Sequence, residues 1–253
     1  MCRNLTHVLG QVTALLALLA GSCQGGDDRH TFDSNGVKIS YVVAGKGEPV
    51  VLIHGLYSSA LVNWQLTGVV AELAKDYQVI ALDMPGHGFS DKPETDAAYG
   101  LEMVEDVVRL MDKLNVKKAH IVGYSMGGMI AAKLVATHPD RVSSVLLGGM
   151  GWLQDGTFLQ KIWEGWGKDA FLSTPSQCPR SFGKLALSEA EIKGIKAPLT
   201  VLVGEKDPCK FLYVAPLEKA RPDWKVITIP DADHLSCVIK PQFKEEIKKA
   251  IRN

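Results

Sequence analysis

A cluster of positive charge is missing from this 253-residue chain, whose 28 Lys and Arg balance 28 Asp and Glu at a formal net charge of +0. Without a basic patch there is no electrostatic footprint for nucleic acid or an anionic surface, so no nucleic-acid partner is expected. Apolar runs of bilayer length are missing too, the run from Val8 to Ala20 being too short to span a membrane. Internal repeats and low-complexity tracts are absent, which excludes solenoid architectures. No His, Cys or carboxylate spacing marks a metal site, and no metal or organic cofactor is expected. Cysteine is scarce: beyond the first 25 residues only Cys178, Cys209 and Cys237 remain. Three thiols cannot all pair. What is present is ordinary for one globular domain, 46 % apolar and 22 % charged residues.

The first 25 residues stand apart from the rest. Arg3 precedes the apolar run, and Ala20 and Ser22 supply the small residues of a signal-peptidase site just before Cys23. The segment resembles a bacterial lipoprotein signal, with Ala20 in the place where such signals usually carry Leu. A signal peptide over residues 1–25 is therefore expected, with export to the periplasm and membrane anchoring through a lipidated Cys23, or else plain secretion. In an oxidising compartment Cys209 and Cys237 become candidates for a disulfide, because they follow two candidate catalytic residues by two and three positions.

Downstream, Arg29 to Asp33 and Val37 to Val43 flank Asn35-Gly36 and read as a hairpin. Pro49–Ile53 is a continuous apolar run of the kind buried on both faces of a parallel sheet. Strands are also expected at Tyr77–Leu82, Ala119–Val122, Val142–Leu147, Leu199–Val203 and Trp224–Ile229. One helix carrying Trp64, Leu66, Val69, Val70 and Leu73, a second from Leu101 to Leu114, and a closing helix with Phe243, Ile247 and Ile251 show the helical period. Strand and helix alternating over short connections imply a parallel sheet covered on both sides. Residues 148–196 break this rhythm with three of the five Trp residues, and place Phe158, Leu159, Ile162, Trp163 and Trp166 on one helical face. Ser188 and Glu191 fit a capping box for the helix that returns to the sheet.

The densest signal lies between Ala119 and Met129. A β-rich run enters Gly123-Tyr124-Ser125-Met126-Gly127, and a run suited to a helix leaves it. Strand, sharp turn and helix form the context in which Gly-x-Ser-x-Gly carries a nucleophile. Gly123 and Gly127 suit a turn where a Cβ would clash, while Ser125 is forced into strained backbone. The Met126 amide opens the helix beside the Ser125 hydroxyl, so an oxyanion forming there meets a donor and a positive dipole end. Ligands and chemistry gather at the carboxyl ends of such strands. Asp207 follows one strand and His234 the last, giving the chain order Ser125, Asp207, His234. Asp231 and Asp233 are rival acids, but neighbours of His234 in its own loop cannot easily aim a carboxylate at its Nδ1. His54 and His87 read as loop anchors, and His120 and His138 as bystanders.

Together with His54-Gly55 after the third strand and Asp83-Met84-Pro85-Gly86-His87-Gly88-Phe89-Ser90 after the fourth, these motifs make residues 29–253 resemble the α/β-hydrolase fold family, in its carboxylesterase-like serine-hydrolase branch. The resemblance implies an α/β architecture, a mostly parallel β-sheet flanked by helices on both faces, with a core over residues 26–147 and 197–253 and a small helical cap insertion over 148–196. It assigns the second oxyanion donor to the backbone N–H of Leu56. A Ser elbow separates the chain from the dehalogenases and epoxide hydrolases of this fold, which carry Asp there. The implied substrate is a small-molecule ester with an apolar acyl or aryl group; lactonase, thioesterase, C–C hydrolase, perhydrolase and slow-turnover receptor are the alternatives. Tyr57, Tyr124, Trp152, Trp163 and Trp166 are the candidate substrate-pocket residues. One departure stands out: Asp233 occupies the place before the catalytic His where the family commonly has Gly.

Overall fold

Strands whose residues are apolar on both faces need cover on both sides, and the computed structural model, which describes residues 29–165 and 173–252, shows where that cover comes from. The signal-like segment with Cys23, and Trp166, lie outside the described residues. Eight strands form one sheet: β1 (Arg29–Ser34), β2 (Val37–Ala44), β3 (Glu48–Ile53), β4 (Tyr77–Leu82), β5 (Ala119–Tyr124), β6 (Val142–Gly148), β7 (Leu199–Gly204) and β8 (Lys225–Ile229). Their order is β1-β2-β4-β3-β5-β6-β7-β8. The β1–β2 hairpin turns at Asn35-Gly36, whose φ angles of 55° and 84° are those a tight two-residue turn demands. β1 and β2 are antiparallel to their neighbours, whereas every pairing from β4 to β8 is parallel.

Alternation along each strand assigns its side chains to two separate cores. Val51, Ile53 and Ile121 point to the face covered by α2 (Leu101–Lys113), α3 (Met126–Thr137) and the insertion. Val50, Leu52, Val122 and Tyr124 point to the opposite face, covered by α1 (Val69–Leu73) and α8 (Pro241–Ile251). Of the expected helices, the one from Trp64 to Leu73 is divided. A wide π-type turn, Leu61–Gln65, is separated from α1 by Gly68 in the left-handed region at φ 76°, a conformation that ends regular helix.

The insertion contains α4 (Phe158–Glu164), α5 (Gln177–Arg180) and α6 (Glu189–Gly194), and its two ends are stitched together. Leu187 N–H donates to the Leu153 carbonyl at 3.0 Å, and the Trp152 indole donates to Leu187 O at 2.7 Å. The capping box forms as expected, with Ser188 Oγ accepting from Glu191 N–H and Glu191 Oε2 accepting from Ser188 N–H. The apolar face of α4 is only half used. Leu159 and Trp163 pack on the core, whereas Phe158 and Ile162 are exposed. The element α7 (Ala215–Ala220) follows β7. Among the described residues no helix is long and apolar enough to cross a membrane.

The last helix reaches the carboxyl ends of β5 and β6 through Phe243. Phe243, fully buried, meets the Tyr124 ring edge-on at 5.6 Å and fills the space beside Gly148. Phe243→Ala is expected to lower the unfolding free energy by about 3–5 kcal/mol, measured by urea denaturation, because the cavity it leaves adjoins rigid strand ends.

Candidate active site

At the end of β5 the chain reverses into α3 within one residue, and the glycines explain how. A Cβ on Gly123 would overlap the Gly127 carbonyl, and one on Gly127 would overlap the Ile53 carbonyl. Ser125 takes the bend at φ 53°, a left-handed value that non-glycine residues rarely adopt, and its N–H is held by Gly148 O at 2.8 Å. Met126 is the first residue of α3, so its N–H has no carbonyl partner within the helix and lies at the positive end of the helix dipole. Gly55 closes the other side: a Cβ there would lie 3.3 Å from Ser125 Cβ. That places the chain leading into Leu56 against the same hydroxyl.

The three residues expected to act together do meet. Ser125 Oγ–H donates to His234 Nε2 at 2.9 Å, and His234 Nδ1–H donates to Asp207 Oδ2 at 2.8 Å. Asp207 is buried, its side chain fully enclosed, and its second oxygen accepts from the Cys209 N–H at 2.8 Å. The rival carboxylates are engaged elsewhere. Asp233 accepts from Leu235 N–H, Ser236 N–H and Ser236 Oγ, capping its own turn, and Asp231 pairs with Lys206 at 2.8 Å. This also accounts for Asp233 before the histidine: its carboxylate shapes the loop and is turned to that loop's own amides.

The remaining histidines of the motifs are structural. His54, fully buried, donates from Nδ1 to Gly55 O at 2.7 Å and accepts from Met84 N–H at Nε2, 3.0 Å away. Burial pulls its pKa down to about 4, against the weaker upward pull of the Gly55 carbonyl, so the ring is neutral. His87 packs edge-on against it at 5.1 Å and donates to Pro85 O, and burial lowers its pKa to about 3. Asp83 anchors the same loop by accepting from the Ala60 and Phe89 amides.

The expected pocket residues separate. Tyr124 is buried and its hydroxyl donates to the His234 carbonyl at 2.6 Å, which makes it a support for the histidine loop. Sequence reasoning missed this tie, although Tyr124 sits beside the nucleophile in the motif. Trp152 is a packing residue at the root of the insertion, lining with Gln154, Phe211 and Pro216 an open concavity of about 670 Å³ that includes neither Ser125 nor His234. Trp163 donates its indole N–H to Tyr213 Oη at 3.1 Å and meets the Phe182 ring at a tilt of 56°, centroids 5.1 Å apart. Tyr57 follows Leu56 in left-handed backbone at φ 60°. The expected Cys209–Cys237 disulfide is not formed, and both are free thiols along with Cys178. Cys209 turns its sulfur to His234 Nδ1 at 3.7 Å, while Cys237 faces the Tyr124 hydroxyl.

Sequence and structure comparisons bear on the fold that carries these residues. Residues 48–170 match the family described as alpha/beta hydrolase fold. Over 117 residues the chain is 40 % identical to 2-hydroxymuconate semialdehyde hydrolase of Pseudomonas sp. strain CF600, covering 45 % of this chain and 40 % of that protein. Over 116 residues it is 41 % identical to the dihydrolipoyllysine-residue acetyltransferase component of an acetoin cleaving system from Cupriavidus necator, covering 46 % and 30 %. The matched stretch thus spans well under half of either relative. A meta-cleavage product hydrolase from Pseudomonas fluorescens IP01 superposes with a TM-score of 0.70 at 25 % identity, over 88 % of this chain and 97 % of the other. The chain has the α/β-hydrolase fold.

Two neutral histidines beneath the site set its acid tolerance. Their folded pKa values of about 4 and about 3 lie below the 6.5 of a free histidine, so the unfolded chain binds more protons between these limits. Stability is therefore full above pH 6.5 and falls as the pH drops; His54 alone removes about 3 kcal/mol by pH 4. Thermal unfolding followed from pH 7.5 to 4 should show this decline, and it should be shallower in His87→Asn.

Proposed function

We propose that this chain, an α/β hydrolase by fold and by the motifs within residues 48–170, is a serine hydrolase that cleaves small or medium esters of apolar acyl or aryl groups. The observation that carries the reading is the continuous relay from Ser125 Oγ through His234 to the enclosed Asp207, at 2.9 and 2.8 Å. An alcohol is a poor nucleophile at neutral pH, so His234 Nε2 takes the Ser125 proton as the oxygen attacks the carbonyl carbon. Asp207 holds the tautomer that leaves Nε2 free and stabilises the imidazolium. The carbonyl oxygen becomes an oxyanion received by the Met126 and Leu56 amides, each such donor contributing roughly 2.7–4 kcal/mol in comparable sites. His234 then protonates the departing alcohol, and water activated by the same nitrogen releases the acid from Ser125.

Apolar side chains around the site favour an apolar substrate. Leu235, directly after His234, is 82 % exposed. Tyr57, adjoining the Leu56 donor, completes the set of residues assigned to the substrate. A second reading, cleavage of a carbon–carbon bond by the same relay, is favoured by the resemblance to a 2-hydroxymuconate semialdehyde hydrolase. The signal-like segment adds a proposal of export, with anchoring through a lipidated Cys23 or secretion.

A fluorophosphonate probe is expected to label wild-type protein at Ser125 and leave Ser125→Ala untouched. Asp207→Asn should cut ester turnover by about 10⁴-fold while the fold persists. A panel of p-nitrophenyl esters of rising chain length, run beside a vinylogous diketone acid, decides between the two bond types. An unlabelled, inactive wild type would remove the hydrolase reading altogether.

A further inference from the structure

We propose that Asp207, Cys209 and His234 form a binding site for a thiophilic divalent cation, Zn²⁺ or Cd²⁺, whose occupancy switches the hydrolase off. The switch rests on the reading of Ser125, His234 and Asp207 as the hydrolytic relay, whereas the cation site rests on geometry alone. Among the described residues these three form the group of metal-ligating side chains whose donor atoms all lie within 4.8 Å of one another. Cys209 Sγ stands 3.7 Å from His234 Nδ1, which stands 2.8 Å from Asp207 Oδ2. In a tetrahedral zinc site the bond lengths to sulfur and nitrogen set a ligand separation of roughly 3.5 Å, and those to nitrogen and oxygen roughly 3.3 Å. Thiol and imidazole already stand about one tetrahedral edge apart. The carboxylate has to withdraw from the imidazole by roughly half an ångström.

Nothing in the ester mechanism uses a thiol at this place, yet the sulfur is held there. The Cys209 N–H is tied to Asp207 Oδ1, so two of the ligands are fixed to each other by the backbone. A sulfur, a nitrogen and an oxygen ligand suit zinc, with a water as the fourth ligand of a tetrahedral site.

The protons balance without an oxidant or reductant. In the resting relay Nδ1 carries the imidazole proton and Nε2 accepts from Ser125. A cation bound through the Nδ1 lone pair requires that proton to move to Nε2, while the thiol proton leaves to solvent. The dication is then matched by one carboxylate, one thiolate and a neutral imidazole. Nε2–H now faces Ser125 Oγ and cannot take a proton, so attack stops. Fixing the wrong histidine tautomer in a comparable relay costs about 10⁴-fold.

The test uses CdCl₂ titrated into the metal-free full-length protein, followed by the ultraviolet thiolate-to-Cd²⁺ charge-transfer band, and ZnCl₂ added to the p-nitrophenyl ester assay. One equivalent of Cd²⁺ should produce the band in wild type, Cys178→Ser and Cys237→Ser, and none in Cys209→Ser or Cys209→Ala. Saturating ZnCl₂ should lower wild-type turnover by at least about 100-fold, reversibly with EDTA. Compared with its own metal-free rate, Cys209→Ser should need at least about tenfold more Zn²⁺ for the same loss. A band that survives in both Cys209 variants, or equal Zn²⁺ sensitivity with and without the thiol, overturns the proposal. A Cys209-dependent band on a protein that cleaves no ester and ignores fluorophosphonate would support the cation site and sink the hydrolase reading instead.

Discussion

The helix after the elbow lies closer to β3 than any side chain allows, and the position of the Ser125 hydroxyl depends on that approach. Gly127 faces the Ile53 carbonyl with no room for a Cβ, and Gly123 faces Gly127 in the same way. Because α3 is pressed onto the sheet here, Ser125 has one residue in which to reverse direction, and it does so in left-handed backbone. That strain is held by the Gly148 carbonyl on the neighbouring strand and by the buried side chains of α3 on the helical side. A larger residue at either glycine would move the hydroxyl away from both the base and the amide of Met126.

The base arrives from a loop, and loops drift unless something ties them down. Tyr124 supplies the tie from inside the elbow itself: its hydroxyl holds the His234 carbonyl while its ring rests on Phe243. Burial raises its phenol pKa, so it remains a neutral donor at every pH the protein survives. Hydroxyl and imidazole are therefore positioned from one short segment, since residue 124 fixes the loop of His234 and residue 125 meets its imidazole. Gly149, at φ 57° beside both Tyr124 and the imidazole, leaves the space this arrangement needs.

Strands and turn chemistry were legible in the sequence because each left a local mark. The run at 50–53 is apolar on both faces and the run at 119–122 is β-rich, and both proved central and parallel; Asn35-Gly36 announced the hairpin; Ser188 and Glu191 announced a helix start. The relay was legible from strand ends alone, since the topology brings residues 125, 207 and 234 to one edge. What stayed hidden depends on orientation. Helical periodicity put Phe158 and Ile162 on the same face as Leu159 and Trp163, yet a short helix at the surface buries only the part that meets the core. The break at Gly68 was overridden by the apolar spacing around it. The tie from Tyr124 to the His234 loop leaves no mark either, because nothing in its neighbours reveals a partner 110 positions away. The sulfurs of Cys209 and Cys237 come near the same relay, but each meets a different member of it, and spacing cannot predict that.

Why Asp207 and not a nearer carboxylate fixes the histidine follows from water. A carboxylate at the surface keeps its hydration and yields little when it binds an imidazole, whereas an enclosed one has only the partners the fold supplies. Asp207 has the Cys209 amide on one oxygen and His234 on the other, with the Cys209 thiol beside them, and its side chain has no exposure. Loss of the imidazole would leave half of a buried charge unpaired, so the pair is held by the cost of separating it. Asp231 and Asp233 sit closer to His234 in the chain, but one is paired with an exposed lysine and the other is turned to its own loop. Enclosure and an unfilled lone pair, more than nearness along the chain, therefore select the residue that orients the base.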